Sequence, residues 1–233
     1  MNYELMANNK VYLRGRVVRS PEYSHEVYGE VFYELGLAVQ RLSDYNDIIP
    51  VTISERLLSS EDCSVGTEIT VKGQFRSYNK LVGEKSKLML TVFARELVEN
   101  DETVNPNIIE LNGYVCKPSI YRMTPFKREI CDMLLAVNRA YNKSDYIPCI
   151  AWGRNARFVK DIDVGKKVFI SGRIQSRDYQ KKLSEDEVET RTAYEISINR
   201  ITLEDTQNEN DDLTVADRII PTNNETYDIA DSQ

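Results

Sequence analysis

The segment that decides the fold is Leu134–Tyr179, which contains LLAVNRAY (134–141), DYIPCIAWGR (145–154) and VFISGRIQSRDY (168–179). Apolar, β-branched and aromatic residues run through each piece, and turn residues separate the pieces, a pattern typical of short strands. Aromatic and cationic residues alternate along these segments. A strand face built in this way offers flat rings to bases and charges to phosphates.

These three pieces, in this order and at these separations, resemble the bacterial single-stranded DNA-binding protein family. The resemblance is strongest over residues 108–205 and covers about one OB fold. It implies a five-stranded barrel that stacks single-stranded DNA on aromatic rings. Residue types and periodicity alone indicate only a β-barrel with a basic, aromatic face.

The pattern recurs along the chain with a shift of 98 residues. Leu37–Arg41 falls on Leu135–Arg139, and Asp47–Pro50 falls on Asp145–Pro148. A repeat of this length suits a duplicated domain rather than a solenoid unit. We therefore predict an all-β protein made of two tandem OB-fold barrels, each with five strands and a short helix, followed by an acidic C-terminal tail. The expected boundaries are 1–107 for the first barrel, 108–205 for the nucleic-acid-binding second barrel and 206–233 for the tail.

Glycines recur at matching places in the two repeats. Gly15 corresponds to Gly113, and Gly73 corresponds to Gly172 after one inserted residue. Strands of small barrels bend sharply and approach one another closely, and glycine permits both. Together with short strands at regular spacing and turn signals between them, these positions favour a barrel over a βαβ layout.

Charge is distributed unevenly along the chain, whose net charge is −7. The first 107 residues carry −4, residues 108–203 carry +5 and residues 204–233 carry −8. The positive charge thus coincides with the aromatic motifs. Such asymmetry indicates an anionic partner for the second barrel and an acidic arm at the end of the chain.

Several functional classes find no support in the sequence. No apolar run reaches the roughly 18–20 residues of a membrane span, and the N-terminus lacks the order of a signal peptide. The four cysteines form no CxxC motif, and the single histidine, His25, has no cysteines nearby, so we expect no metal, no cofactor and a reduced, cytoplasmic protein. Gly83–Ser86 lacks the upstream glycine of a P-loop and is interpreted as a turn. We expect no catalytic activity.

The resemblance assigns base stacking to four aromatic side chains, Tyr141, Tyr146, Trp152 and Tyr179. Stacking on such rings tolerates any base sequence, because every base has a π-face. The alternative for each tyrosine is a half-buried strand residue with a solvated hydroxyl. Trp152, the single tryptophan, is the strongest of the four.

Six cations are candidates for phosphate contacts: Arg139, Lys143, Arg154, Arg173, Arg177 and Lys181. The alternative for each is an ordinary solvated cation. Arg173 and Arg177 are four residues apart in one strand and should face the same side. We rank these two and Arg154 above the lysines.

The first repeat lacks the matching aromatic residues. Ser43, Ile48 and Ser54 occupy the positions of Tyr141, Tyr146 and Trp152, and Tyr78 only approximates Tyr179. We therefore expect the first barrel to supply a packing surface or to bind another protein.

Together these features predict a sequence-tolerant binder of single-stranded DNA that acts in DNA replication, recombination or repair, with RNA left open as a ligand. The alternative is an OB-fold adaptor that mediates protein contacts in a replication-accessory complex. Because the resembled family brings four OB folds together, two per chain indicate a homodimer. The family's acidic tail ends in an apolar tip that recruits partner enzymes, whereas this chain ends Asp228–Gln233, so we expect those partners not to be recruited.

Overall fold

The structure, a computed structural model, describes residues 7–41, 43, 45–83, 85–182 and 188–204. The elements described in the first half are β1 (Asn9–Val27), β2 (Glu30–Gln40), β3 (Asn46–Ser54), α1 (Glu55–Leu58), β4 (Glu68–Val82) and β5 (Lys85–Val98). Those described in the second half are β6 (Asn107–Val115), β7 (Ile120–Met123), β8 (Glu129–Arg139), a 3-10 turn (Ala140–Asn142), β9 (Lys143–Trp152), α2 (Arg154–Val159), β10 (Lys167–Lys182) and β11 (Val188–Leu203). The predicted tail, 206–233, lies outside the described residues.

Each half closes into a five-stranded barrel. In the first, β1 pairs with both β2 and β4, β2 pairs with β3, β4 pairs with β5, and a short parallel contact between β3 and β5 completes the ring. In the second, β6, β8, β9, β11 and β10 close in the same way. The prediction of two tandem barrels, each with a short helix, is confirmed.

The barrel interiors follow from the alternation of side chains along the strands. In β6, every second residue is buried, and Leu13, Phe75, Leu111 and Ile147 are among the fully buried side chains of the two interiors. A Cβ atom at Gly15 would collide with the carbonyl oxygen of Ala38. Its repeat counterpart, Gly113, meets Ala136 in the same way, so glycine is required where these strands approach.

The two barrels are joined by antiparallel pairing of β1 with β6. Val11 lies opposite Ile109, its own counterpart in the 98-residue repeat. Asn9 lies opposite Leu111 and Leu13 lies opposite Asn107, which is the reciprocal pair. A pseudo-two-fold axis therefore passes through the Val11–Ile109 pair, and the described strands form one continuous sheet.

Two buried carboxylates connect the barrels across this axis. Asp47 in β3 accepts a 2.6 Å hydrogen bond from the backbone N–H of Ser176 in β10. Its counterpart Asp145 in β9 accepts a 2.7 Å bond from the backbone N–H of Ser77 in β4. The β4–β5 hairpin therefore starts against the second barrel, and the β10–β11 hairpin starts against the first.

Arginines complete both carboxylate clusters. Asp47 pairs with Arg41 of its own barrel through a 2.8 Å bond, and Arg173 of the other barrel lies 3.7 Å away. Asp145 pairs with Arg139 of its own barrel and Arg76 of the other, both at 3.3 Å. A buried charge needs such partners, because removing an unpaired ion from water costs on the order of several kcal/mol.

The second half departs from the predicted strand order at one point. Where the first half has the single long strand β1, the second half has β6 and the separate β7. Pro118 lies in the gap between them, and proline has no N–H to donate to a ladder. The short strand β7 forms a hairpin with β8.

The described part of the chain contains no helix long and apolar enough to cross a membrane. Within the same residues there is no group of histidine, cysteine and carboxylate side chains suited to hold a metal ion.

Candidate nucleic-acid interface

The outer face of β7, β8 and β9 forms a three-stranded surface on the second barrel. Strand register places Trp152 beside Ile130 and Ile130 beside Arg122, and it places Tyr146 beside Ala136. Between these two rows lies a largely apolar floor, in which Asp132 forms a 2.8 Å ion pair with Arg122 of the first row. The floor residues are Ile120, Asp132, Leu134, Pro148 and Ile150.

Tyr146 and Trp152 stand at opposite ends of this face. They are six residues apart in β9 and so point to the same side, about 20 Å apart at the usual strand rise. Their side chains are 37% and 39% exposed. Each ring therefore offers a surface to a ligand while part of it is supported by the barrel.

The two ends of β9 are fixed by different neighbours. The backbone N–H of Tyr146 donates to the hydroxyl of Ser77 in the first barrel at 2.8 Å. After Trp152, the N–H of Gly153 donates to the carbonyl of Glu129 at 2.9 Å. Arg154 follows at the start of α2 and is exposed.

Tyr141 lies in the turn between β8 and β9 and is 93% exposed. Its φ of 60° is in the left-handed region, which is uncommon for a residue with a side chain. The turn holds the ring away from the barrel, beside Lys143, which is also exposed. The turn therefore presents an aromatic ring and a cation together.

The remaining candidates lie on the β10–β11 hairpin. Pairing from Gly172 to Lys182 is regular, so Arg173, Arg177, Tyr179 and Lys181 share one face, as predicted for the two arginines. Tyr179 is half-buried opposite Arg191. The root of this hairpin is held by Asp47 of the first barrel. The candidates thus form two groups, one on β8, β9 and α2 and one on the hairpin.

The predicted cations differ in whether they form ion pairs within the protein. Arg139 and Arg173 take part in the buried carboxylate clusters. Among the described residues, Arg154, Arg177 and Lys143 form no ion pair, and all three are exposed. These three are therefore the cations most available to a phosphate.

The tip of the β7–β8 hairpin contains none of the binding residues predicted from the sequence. It carries Phe126, which is 87% exposed, next to Lys127 and Arg128. An aromatic residue followed by two cations in a turn was the available signal. Because β7 extends the face that bears Trp152, this tip lies at the edge of the same surface.

The other side of this hairpin is tied to α2. Glu129 accepts a 2.6 Å bond from the hydroxyl of Tyr121 and a 2.8 Å bond from Arg157. These bonds, that of Tyr121 first, lower the pKa of Glu129, and the same bond raises the pKa of Tyr121. The contacts hold the hairpin against α2 and so fix the position of the face.

The corresponding face of the first barrel has a different composition. Ser54, the counterpart of Trp152, is buried, and Ile48, the counterpart of Tyr146, is exposed. Nearby, the rings of His25 and Phe32 stack with centroids 5.0 Å apart. The aromatic residues of this face therefore pack against each other instead of standing apart as Tyr146 and Trp152 do.

Comparison with known proteins finds a family match for the second barrel. Residues 106–204 match the Single-strand binding protein family. A single-stranded DNA-binding protein of Clostridium tetani is 34% identical over 83 residues, which cover 33% of this chain and 57% of that protein. The chain spans about half the length of the curated relatives it matches, between 44% and 58%. The resemblance drawn from the sequence is confirmed.

Solved structures extend the likeness to most of the chain. The wild-type single-stranded DNA binding protein from Thermus aquaticus shares 18% identity and a TM-score of 0.66, covering 88% of this chain and 96% of that one. This likeness shows the fold. The N-terminal domain of the PriB protein from Thermoanaerobacter tencongensis is 46% identical, covering 41% of this chain and 99% of that one, with a TM-score of 0.36.

Proposed function

We propose that this chain, whose residues 106–204 match the Single-strand binding protein family, binds single-stranded DNA without sequence preference. The observation that carries the proposal is the outer face of β7, β8 and β9, where Tyr146 and Trp152 stand at the two ends of a largely apolar floor. Bases of any kind stack on such rings, with about 1–3 kcal/mol for each stacked base. Tyr141 and Tyr179 supply further rings.

Phosphate contacts come from the cations beside the rings. Arg154 follows Trp152, Lys143 lies in the turn of Tyr141, and Arg177 shares a strand face with Tyr179. Arg139, Arg173 and Lys181 contribute charge near these positions, although two of them also serve the carboxylate clusters. Binding should therefore weaken as salt rises, because each phosphate contact releases a condensed counterion.

In the cell, this activity belongs to replication, recombination or repair in the cytoplasm, where single strands are exposed and must be held. We also propose that two chains form a homodimer with four barrels, since closed two-fold assemblies are the commonest among oligomers.

Tryptophan fluorescence tests the proposal directly, because Trp152 is the only tryptophan in the chain. Titration with oligo-dT should quench the emission, and titration with the matching double-stranded oligonucleotide should quench it much less. Unchanged emission and no mobility shift with oligo-dT would exclude the proposed activity.

A second candidate function is supported by the β7–β8 hairpin. Met123 and Phe126 are exposed apolar side chains at the tip end of this hairpin. Exposed apolar surface of this kind commonly marks a protein contact. An adaptor that binds another protein through this hairpin would show no quenching with oligo-dT, which separates it from the first proposal.

A further inference from the structure

The first barrel presents an exposed tyrosine where the hairpin of the second barrel begins. Tyr45 is 76% exposed and ends the turn between β2 and β3, which closes when the N–H of Arg41 donates to the carbonyl of Tyr45 at 3.0 Å. Two residues later, Asp47 accepts hydrogen bonds from the N–H and the hydroxyl of Ser176. The turn is therefore held against the root of the β10–β11 hairpin.

The hairpin brings its own ligand-binding groups to this junction. Arg41 also donates to the carbonyl of Ser176 at 2.7 Å, which fixes the backbone next to Arg177. Arg177 is exposed, and among the described residues its side chain forms no hydrogen bond or ion pair. Tyr179 lies two residues further along on the same strand face. The segments that carry an exposed aromatic ring of the first barrel and an exposed cation of the second are thus joined at this junction.

The same arrangement recurs across the pseudo-two-fold axis. There the β8–β9 turn exposes Tyr141, Asp145 accepts from Ser77, and Ser77 begins the hairpin of the first barrel. Each turn therefore places one exposed tyrosine beside the hairpin root of the other barrel. The two tyrosines do not align in the repeat, because Tyr141 corresponds to Ser43 and Tyr45 corresponds to Lys143.

We propose that Tyr45, together with Arg177 and Tyr179, forms a second half-site for single-stranded nucleic acid on the first barrel. This inference rests on the proposed function and replaces the expectation that the first barrel only packs or binds protein. The half-site stacks a base on Tyr45 and pairs a phosphate with Arg177. A strand long enough to leave Trp152 and reach the junction contacts both barrels.

The test uses the full chain with three variants. Tyr45→Ala removes the ring, Tyr45→Phe keeps it, and Tyr28→Asn removes an exposed tyrosine at the β1–β2 turn, where asparagine tolerates the positive φ. Binding is measured by Trp152 quenching and by filter binding, with oligo-dT of about 10 nucleotides, which fits one OB fold, and of about 40 nucleotides.

Tyr45→Ala should weaken binding of the longer oligonucleotide by about fivefold to tenfold and leave the shorter one within about twofold of wild type. Tyr45→Phe and Tyr28→Asn should stay within about twofold on both. If Trp152→Ala weakens binding but Tyr45→Ala does not, the second half-site is wrong while the proposed function stands. If wild type binds neither oligonucleotide, both fail.

Cross-linking of the wild-type chain gives a measurement that needs no variant to fold. An oligo-dT of about 40 nucleotides that carries 5-iodo-deoxyuridine should, on irradiation, form cross-links to the peptide that contains Tyr45 as well as to peptides of the second barrel. Cross-links confined to residues of the second barrel would overturn the inference.

Discussion

The backbone N–H of Ser176 lies 2.6 Å from a carboxylate oxygen of Asp47, and the two residues are 129 positions apart in the chain. Asp145 and Ser77 repeat this contact at 2.7 Å on the other side of the pseudo-two-fold axis. Because both carboxylates are buried, each barrel depends on the hairpin of the other to satisfy a charge. The two barrels should therefore behave as one unit in unfolding and in binding.

Asp145→Ala should lower the free energy of unfolding by about 2–4 kcal/mol. The substitution leaves the N–H of Ser77 and the guanidinium groups of Arg76 and Arg139 without their acceptor. Urea denaturation followed by circular dichroism measures the change. Asp163→Ala, at an exposed position, is the control and should change the unfolding free energy by less than about 0.5 kcal/mol. Equal values for the two variants would show that the cluster contributes nothing.

Trp152→Ala and Tyr146→Ala should each weaken binding of oligo-dT by about 1 kcal/mol or more, since each removes a stacking ring from the outer face. Fluorescence anisotropy of a labelled oligonucleotide measures the affinity without relying on the tryptophan. Tyr28→Asn removes an exposed ring from the first barrel and serves as the matched control. Wild-type affinity in both folded variants would show that these rings do not stack on bases.

The sequence carried enough information to predict the barrels and the duplication. Gly15 and Gly113 mark the same close approach in both halves, and buried positions alternate along β6 as a half-buried strand requires. These features are local, because strand period and glycine position depend on immediate neighbours. For the same reason, Tyr146 and Trp152 could be placed on one face from their spacing alone.

The relation between the barrels could not be predicted in this way. From the sequence, Asp47 resembles any carboxylate near the end of a strand, and no nearby residue indicates its contact with Ser176. The left-handed φ of Tyr141 depends on the turn as a whole and has no residue signature such as glycine. Tyr45 has no aromatic counterpart in the repeat, since the shift of 98 residues places it opposite Lys143, so the repeat does not mark it as a stacking residue. Contacts across the axis arise only when both barrels are assembled.

Arg177→Ala should reduce the salt dependence of binding. Each phosphate contact to a single strand contributes about −0.7 to the slope of log K against log salt, so loss of one contact should make the slope less negative by about that amount. Arg56→Ala, an exposed arginine in α1, is the control and should leave the slope unchanged. The slopes come from titrations at several potassium chloride concentrations. Identical slopes for wild type and Arg177→Ala would remove this residue from the phosphate contacts.

The cysteines should be unreactive in the folded protein. Burial raises the pKa of Cys116 to about 11 and that of Cys131 to about 11, so both thiols stay protonated at pH 8. Iodoacetamide, which attacks the thiolate, should label the native chain slowly and the urea-unfolded chain fully, as mass spectrometry would show. Since the unfolded thiols ionise first, the free energy of unfolding should fall as pH rises above about 9. Rapid native labelling at these two cysteines would contradict the argument.

The acidic tail, residues 206–233, should compete with DNA for the basic second barrel. Residues 204–233 carry −8 and residues 108–203 carry +5, so the two attract each other within the Debye length of about 8–10 Å. Deleting residues 206–233 should therefore tighten oligo-dT binding at low salt, and the gain should shrink at high salt as both attractions are screened.

A matched variant keeps the tail but replaces its aspartates and glutamates with asparagines and glutamines. It should bind as tightly as the truncated chain, because charge rather than length carries the effect. If truncation leaves the affinity unchanged or weakens it at low salt, the tail does not compete, and a structural contribution from Leu213–Pro221 becomes the better account.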